Sequence, residues 1–433
     1  MAWMSILMVL LSRGGGNDLL DYMPADAYWR IKEVTVTVER MVAELAPGEP
    51  GGNAQAKAVR RLMALRTLGE LKRAEALPAL RPLLESKDLF VADYARQAIA
   101  AIEGKAFQRP RPAEAALWSD LCLLPARCGI VGQARPPAGG PVAFDKLLKD
   151  AETVLPPIPD PGAALHEWAK VLVTVAERVG NVRLDSATVG VAENIGDRAG
   201  FLVAVGRGLY DPEALKATLR QAGATAVQAA GVDVLTLQGR LALLPCSNDR
   251  LLFAVGATEA EIPIKELAAA VRRGGGQPSL SPEMLALIQP LDRSVPAWGA
   301  VRVSAAYRQV PALVPFDTLT LTSRWGQEGA LAFTLAGVGK DPAAVRAAAD
   351  QVGKDAAKTA ADLKGMAAQI PVLKAPAELL GSIAVMAEEG KATLTGTLKG
   401  GPSVLLVPMV FRVLAEPPEP KEREATRAPA TDF

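Results

Sequence analysis

The chain has 433 residues, enough for two to four domains at about 100–200 residues each. Half of them are hydrophobic but only 5% are aromatic, so Ala, Val and Leu must fill the cores. Lys plus Arg number 48 against 47 Asp plus Glu, and a net charge of +1 gives no global field to gather nucleic acid or anionic lipid. A single histidine and three cysteines leave too few groups for the familiar zinc sites, which need about four N, S or O ligands. They also leave only one candidate base for a Ser-His-Asp system.

Residues 1–16 open with an apolar run from Ala2 to Leu11, shorter than the ~20 residues that span a bilayer but as long as a signal-peptide core. No Lys or Arg precedes it, and Ser12-Arg13-Gly14-Gly15-Gly16 lacks an Ala-x-Ala cleavage pattern. Export signal, a segment docked on the body, and a misassigned start all stay open. Residues 17–53 form a lead-in to the first periodic region.

That region, residues 54–104, is helical. Arg60, Ala64, Leu68 and Leu71 stand 31 positions ahead of Val91, Ala95, Ile99 and Ile102, and both sets keep i, i+4, i+8, i+11 spacing. A third helix is predicted between them over residues 75–85. Leu68-Gly69-Glu70-Leu71, Ala76-Leu77-Pro78-Ala79-Leu80 with Leu83-Leu84, and Val91 with Ala95, Ala98 and Ile99 resemble a HEAT-type helical repeat. A self-sufficient solenoid needs about three repeats. The resemblance holds at most one and a half, so it implies that the segment packs on the rest of the chain or on a partner. Lys57, Arg60, Arg61, Arg66, Lys72 and Arg73 face only Glu70 on the first helix. A solvated face is the expected reading, and a basic ridge for an acidic partner the alternative.

Residues 105–116, with Pro110 and Pro112, read as a linker, after which strands alternate with helices. Strands over 188–191 and 201–205 flank the polar turn from Glu193 to Arg198. Asp211 then caps, and Pro212 opens, a helix to residue 220. The same order returns about 130 residues later: strands over 319–323 and 330–335, then Asp341-Pro342 opening a helix over 343–370, part of it solvent-bridging. Hairpins are predicted for 234–237 with 251–255, and for 383–386 with 392–398 around Glu388-Glu389-Gly390. Helices follow over 259–272 and 402–414. Each copy starts with a strand after a proline, 128–132 after Pro125 and 298–303 after Pro296.

These patterns predict an α+β fold: a short HEAT-like helical segment followed by two related antiparallel-sheet-plus-helix modules, residues 117–275 and 278–413, with helices on one face. The proline-rich residues 415–433 are predicted to be a disordered tail. The stretch from Leu20 to Ala27, Leu123-Leu124-Pro125-Ala126 and the hairpin-plus-helix modules resemble a family of uncharacterised bacterial proteins, often exported, with a Leu-Pro-Ala-Asp-type lead-in to duplicated α+β domains. The resemblance implies an exported or envelope-associated place over a cytoplasmic one, and carries no functional residues across.

The search for chemistry returns local structural explanations. Gly206-Arg207-Gly208 lacks the third glycine of a dinucleotide fingerprint, and Asp211 is explained as a helix cap. Gly339-Lys340 and Gly390-Lys391 are followed by Asp341 and Ala392, not by the hydroxyl of a P-loop. Gly274-Gly275-Gly276 ends a helix after Arg272-Arg273. His166, beside Glu167, has no identifiable nucleophile and reads as a surface or half-buried residue. Glu193, Asp197, Glu388 and Glu389 sit at hairpin tips, where solvation is the simpler account.

Trp298, Trp325 and Phe333 read as sheet packing, and not as base-stacking platforms. Cys122, Cys128 and Cys246 read as small buried hydrophobes, with a 122–128 bridge as the alternative. Residues 402–414, apolar nearly all round with Pro408 inside, read as a buried closing helix or else as a docking surface. The sequence therefore assigns no catalytic, cofactor-binding or metal-ligating residue, and no cofactor. It points to a non-enzymatic interaction or structural protein with an unidentified protein partner, no nucleic acid and no integral membrane span. A binder of an apolar ligand or lipid in a cavity between sheet and helices is the alternative, and an enzyme with a site between the modules a further one.

Overall fold

The computed structural model describes residues 18–23, 25–46, 54–107, 114–135, 170–192, 200–256, 262–326 and 330–399, apart from a few single positions inside those spans. The signal-like segment, His166, the 193–198 turn, the 402–414 helix and the 415–433 tail lie outside the described residues.

Helices α1 (Ala25–Ile31), α2 (Val38–Ala43), α3 (Ala54–Leu71), α4 (Leu77–Leu80) and α5 (Leu89–Ile102) share one core of Trp29, Tyr28, Met63, Leu65, Leu68 and Tyr94. Asp88 caps α5 by accepting from the amides of Phe90 and Val91. Gly69 lets α3 and α5 touch, because a Cβ there would stand 2.9 Å from the Cα of Ala98. The helix predicted over 75–85 is in fact three short pieces, 3-10 turns Ala74–Ala76 and Arg81–Glu85 around α4. Pro78 and Pro82 account for the break, since each lacks the amide that a continuous helix needs.

Lys57, Lys72 and Arg73 are exposed, as the solvated-face reading expects, whereas Arg60 and Arg66 correct it. Arg60 forks onto Glu44 at 2.5 and 2.7 Å, and Arg66 donates at 2.6 Å to the carbonyls of both Leu20 and Met23. Two of the six basic residues therefore hold the lead-in segment onto the helical unit.

Helix α6 (Glu114–Leu121) begins inside the predicted linker. Among the described residues twelve strands follow: β1 (Ile130–Ala134), β2 (Arg183–Ala192), β3 (Phe201–Leu209), β4 (Thr225–Ala229), β5 (Val232–Leu237), β6 (Leu241–Ser247), β7 (Arg250–Gly256), β8 (Ala297–Arg302), β9 (Thr318–Trp325), β10 (Leu331–Val338), β11 (Ala384–Glu388) and β12 (Lys391–Leu398). They are interleaved with α7 (Pro212–Gln221), α8 (Ile264–Arg273), α9 (Pro282–Ile288), α10 (Pro342–Ala367) and α11 (Lys374–Gly381). Asp211 and Asp341 cap α7 and α10 in the same way, each accepting from two amides of the first turn.

The two modules do not keep separate sheets. They form a single one in the order β11-β12-β10-β9-β8-β1-β2-β3-β7-β6-β5-β4, joined by the antiparallel pair β1–β8. The register of that joint places Gly132 opposite Gly299, with Ile130 opposite Val301 and Ala134 opposite Ala297 on either side. An approximate twofold axis thus passes between the glycines and relates β1-β2-β3-α7 to β8-β9-β10-α10. The hairpin predicted between 234–237 and 251–255 is corrected: β6 lies between them, so β5 pairs with β6 and β6 with β7. Pro245 hides that strand in the sequence, and the register shifts between Pro245 and Ser247.

Helices α8 and α9 lie on one face of the sheet, and α10, with its counterpart α7 against β5, on the other. Leu267 and Ala268 of α8 and Met284 and Ile288 of α9 bury Val203, Val205, Leu252, Ala254 and Trp298 on one face. Val345 and Ala349 of α10 pack with Ala392 and Val385 on the other.

Candidate functional site

Two features are large enough to act on another molecule. The first is a cleft of about 460 Å³ where α9 passes the ends of β1, β8 and β9. Arg127, Arg302, Glu283 and Asp317 supply its charges, Leu287 and Val303 its apolar wall. The sheet sets their spacing, since the Arg302 amide donates to the Gly129 carbonyl at 2.8 Å and the Val303 amide to Asp317 at 2.9 Å. Arg302 stands 3.9 Å from Glu283, and its buried Nε has no hydrogen-bond partner. Arg127 lies over the Phe201 ring at 4.3 Å, and Asp317 accepts from Arg308 at 2.8 Å. Two cations against two carboxylates leave the cleft without net charge.

The second feature is a sheet face. Straight across the strand pairings, one row runs from β5 to β1 through Leu235, Leu243, Phe253, Ala204, Val189 and Gly132. It continues from β8 to β11 through Gly299, Leu321, Leu335, Leu394 and Val385. No polar residue interrupts it over a span of about 50 Å at ~4.8 Å per strand. The neighbouring row, from Leu237 through Val255, Leu202, Val191, Ile130 and Val301 to Leu319, is equally apolar.

Helix α10 closes the β11–β12 end of this face, and at the other end Leu235, Leu243 and Ala204 are buried, with α7 against β5. At the joint, a Cβ built on Gly132 would meet only Trp298 and Gly299, and one on Gly299 only Val131 and Leu321, all within the sheet. Val189, Leu202, Ile130 and Val301 are half-buried, and Leu321 is 37% exposed. The reverse face of the second module carries Thr318, Thr320, Thr322, Thr334, Thr393 and Thr395, as an antiparallel sheet facing water does. The first module is apolar on both faces.

The residues weighed in the sequence do not converge. Asp211 is a cap and Gly274 a left-handed helix terminus. Lys391 pairs with Glu388 across a hairpin. Trp298 is buried and donates to Gln133 at 3.3 Å. Among the described residues no group of three or more His, Cys, Asp or Glu could hold a metal ion, and no helix is long and apolar enough to cross a membrane.

The main buried charges are structural. Arg207 binds Asp120 at 2.6 and 3.1 Å and Ser119 at 3.2 Å, tying β3 to α6, and burial pushes the Asp120 carboxyl up against the pull of Arg207 and Arg250. Sequence reasoning missed Arg127, Arg302 and the apolar rows. The only sequence trace of the rows is runs such as Phe201-Leu-Val-Ala-Val205, hydrophobic at odd and even positions alike.

The cysteines are free, and desolvation raises all three thiols, Cys128 to about 12 and Cys246 to about 11. At pH 8 the thiolate fraction of Cys128 is about one in ten thousand. Iodoacetamide is therefore expected to leave all three unmodified in the folded chain and to label all three in urea, as read by intact mass. Rapid labelling of the native chain would contradict this packing.

No known family matches the chain, and no curated protein does. Solved structures of TP0453 are similar in part: crystal form I at 8% identity over 67% of this chain and 98% of that one, and crystal form III at 9% identity over 67% and 97%, each with a TM-score of 0.37. Those likenesses carry no argument about function.

Proposed function

We propose that the chain is a non-enzymatic interaction protein whose working surface is the apolar sheet face that crosses the β1–β8 joint. The observation that supports this reading is the stretch of apolar row at the β1–β8 joint, where Val189, Ile130 and Val301 are half-buried and Leu321 is 37% exposed, in contrast to the buried Leu235 and Leu243 beside α7. Contiguous apolar surface of this kind is what protein contact sites use. Small residues at the joint, Gly132, Gly299, Ala134 and Ala297, make a shallow trough between Val189 and Leu321, into which a partner's side chains would settle. The HEAT-like segment adds a smaller apolar contact through Leu84 and Leu89, which are 37% and 59% exposed.

Leu321→Asp and Leu202→Asp test the reading, because each puts a carboxylate on the face while leaving the opposite core untouched. The folded variants are expected to lose the proteins captured by the unchanged chain, and to lose most of its fluorescence enhancement of anilinonaphthalene sulfonate. An unaltered set of captured proteins with an unaltered dye signal would refute the proposal.

A second reading, a carrier of an apolar ligand, is favoured by the cleft, whose volume falls in the ~300–1,000 Å³ range of small-molecule sites. Organic extraction of the purified chain followed by mass spectrometry would separate the two, since a carrier releases a stoichiometric apolar compound.

A further inference from the structure

Among the described residues the sheet ends on one side at β4, whose residues Thr225-Ala-Val-Gln-Ala229 contain no charge and no proline. β4 and β5 are joined by the two residues Ala230 and Gly231, both with positive φ, which defines a type I′ turn. In such a hairpin the flanking pair, Ala229 and Val232, is hydrogen-bonded, and bonded positions then alternate along the strand. Thr225, Val227 and Ala229 consequently face β5, while the amides and carbonyls of Ala226 and Gln228 point away from the sheet. Thr225, Ala226 and Gln228 are exposed. Charges and proline are the usual protection of an open edge, and this edge has neither. The opposite edge, β11, ends in Glu388 followed by Glu389.

We infer that β4 is a self-association edge and that its partner is β4 of a second copy. Antiparallel pairing about a twofold axis at Val227 sets Ala226 opposite Gln228 of the second copy, and Gln228 opposite its Ala226. The two pairs make four backbone hydrogen bonds from groups that β5 does not use. The Val227 side chains then meet at a non-bonded position, where β-branched residues pack well. The chain already contains this kind of contact, because its own modules meet edge to edge, antiparallel, about Gly132 and Gly299. An isologous pair closes at two copies and keeps the apolar face continuous across both.

Sedimentation velocity over a concentration series tests this. The unchanged chain is expected to shift from monomer to dimer. Gln228→Pro, which removes an outward amide and none of the β4–β5 bonds, is expected to raise the dissociation constant at least tenfold with an unchanged circular dichroism spectrum. Val227→Cys is expected to form a disulfide-linked dimer on mild oxidation, because the two α-carbons across a non-bonded antiparallel pair lie within disulfide reach. A chain that stays monomeric, a dimer indifferent to Gln228→Pro, polymers that would mean β4 pairing with β11, or a Val227→Cys chain that does not cross-link would each overturn the inference.

Discussion

Arg183→Ala is expected to destabilise the chain by about 3 kcal/mol, because it removes the cation shared by two buried carboxylates, of which Asp93 keeps a further ion pair with the more exposed Arg96 at 3.5 Å. Arg183 begins β2 and is 8% exposed. Its Nε donates to Asp18 at 2.9 Å and its Nη2 to Asp93 at 2.5 Å, and both carboxylates are at most 5% exposed. Asp18 also forms a backbone bridge to Arg183, the Leu20 amide donates to Asn181 at 3.3 Å, and the Tyr94 hydroxyl donates to Asp21 at 3.0 Å. The one guanidinium therefore joins the lead-in segment, helix α5 of the helical unit and the sheet.

Guanidinium denaturation of the variant should show a lower midpoint, and the helical unit should melt in an earlier phase than the sheet. Replacing the set together, Arg183→Met with Asp18→Leu and Asp93→Leu, is expected to recover most of the loss, since a packed apolar trio carries no desolvation cost. A loss under about 1 kcal/mol for the single variant would be the size expected of a solvent-screened pair, and would contradict the buried geometry.

What could be read from the sequence was local. Asp211-Pro212 and Asp341-Pro342 announced α7 and α10 because a cap and a helix-opening proline act within one turn. Glu389-Gly390 announced the β11–β12 hairpin for the same reason, and both residues have positive φ. The joint between modules left no such trace. Whether β1 ends its own sheet or meets β8 depends on a pairing between distant segments, and Ile130-Val-Gly-Gln-Ala134 carries no mark of which. The apolar face was hidden likewise, because a strand that is hydrophobic at every position does not show how far along each of its sides the helices reach. The roles of Arg60 and Arg66 escaped because their acceptors, Glu44 and the carbonyls of Leu20 and Met23, come from the lead-in segment. Charge periodicity along α3 contains no information about that segment.

The glycines give the second large effect. Gly206-Arg207-Gly208 invites comparison with a phosphate cradle, and the duplication shows why it is something else. The equivalent place at the end of β10 reads Gly337-Val338-Gly339, and each pair is followed by an Asp-Pro helix start. A Cβ on Gly208 would stand 1.9 Å from the carbonyl oxygen of Arg183, and one on Gly339 would stand 1.9 Å from that of Pro315. In both modules the final glycine lets the chain entering the second strand cross directly against the end of the third.

Gly208→Ala and Gly339→Ala are each expected to cost about 3 kcal/mol or more, at or above the upper end of ordinary overpacking, because the obstacle is backbone and no rotamer change relieves it. Gly206→Ala would place its Cβ 3.1 Å from a methyl carbon of Leu184, which can shift, so it should cost about 1 kcal/mol. Thermal unfolding of the three variants gives the comparison. If Gly208→Ala proves as mild as Gly206→Ala, the crossing of β3 against the start of β2 is looser than described, and the shared Gly-x-Gly needs another explanation. If both terminal-glycine variants fall together and Gly206→Ala does not, the motif is a packing device that the two modules have in common.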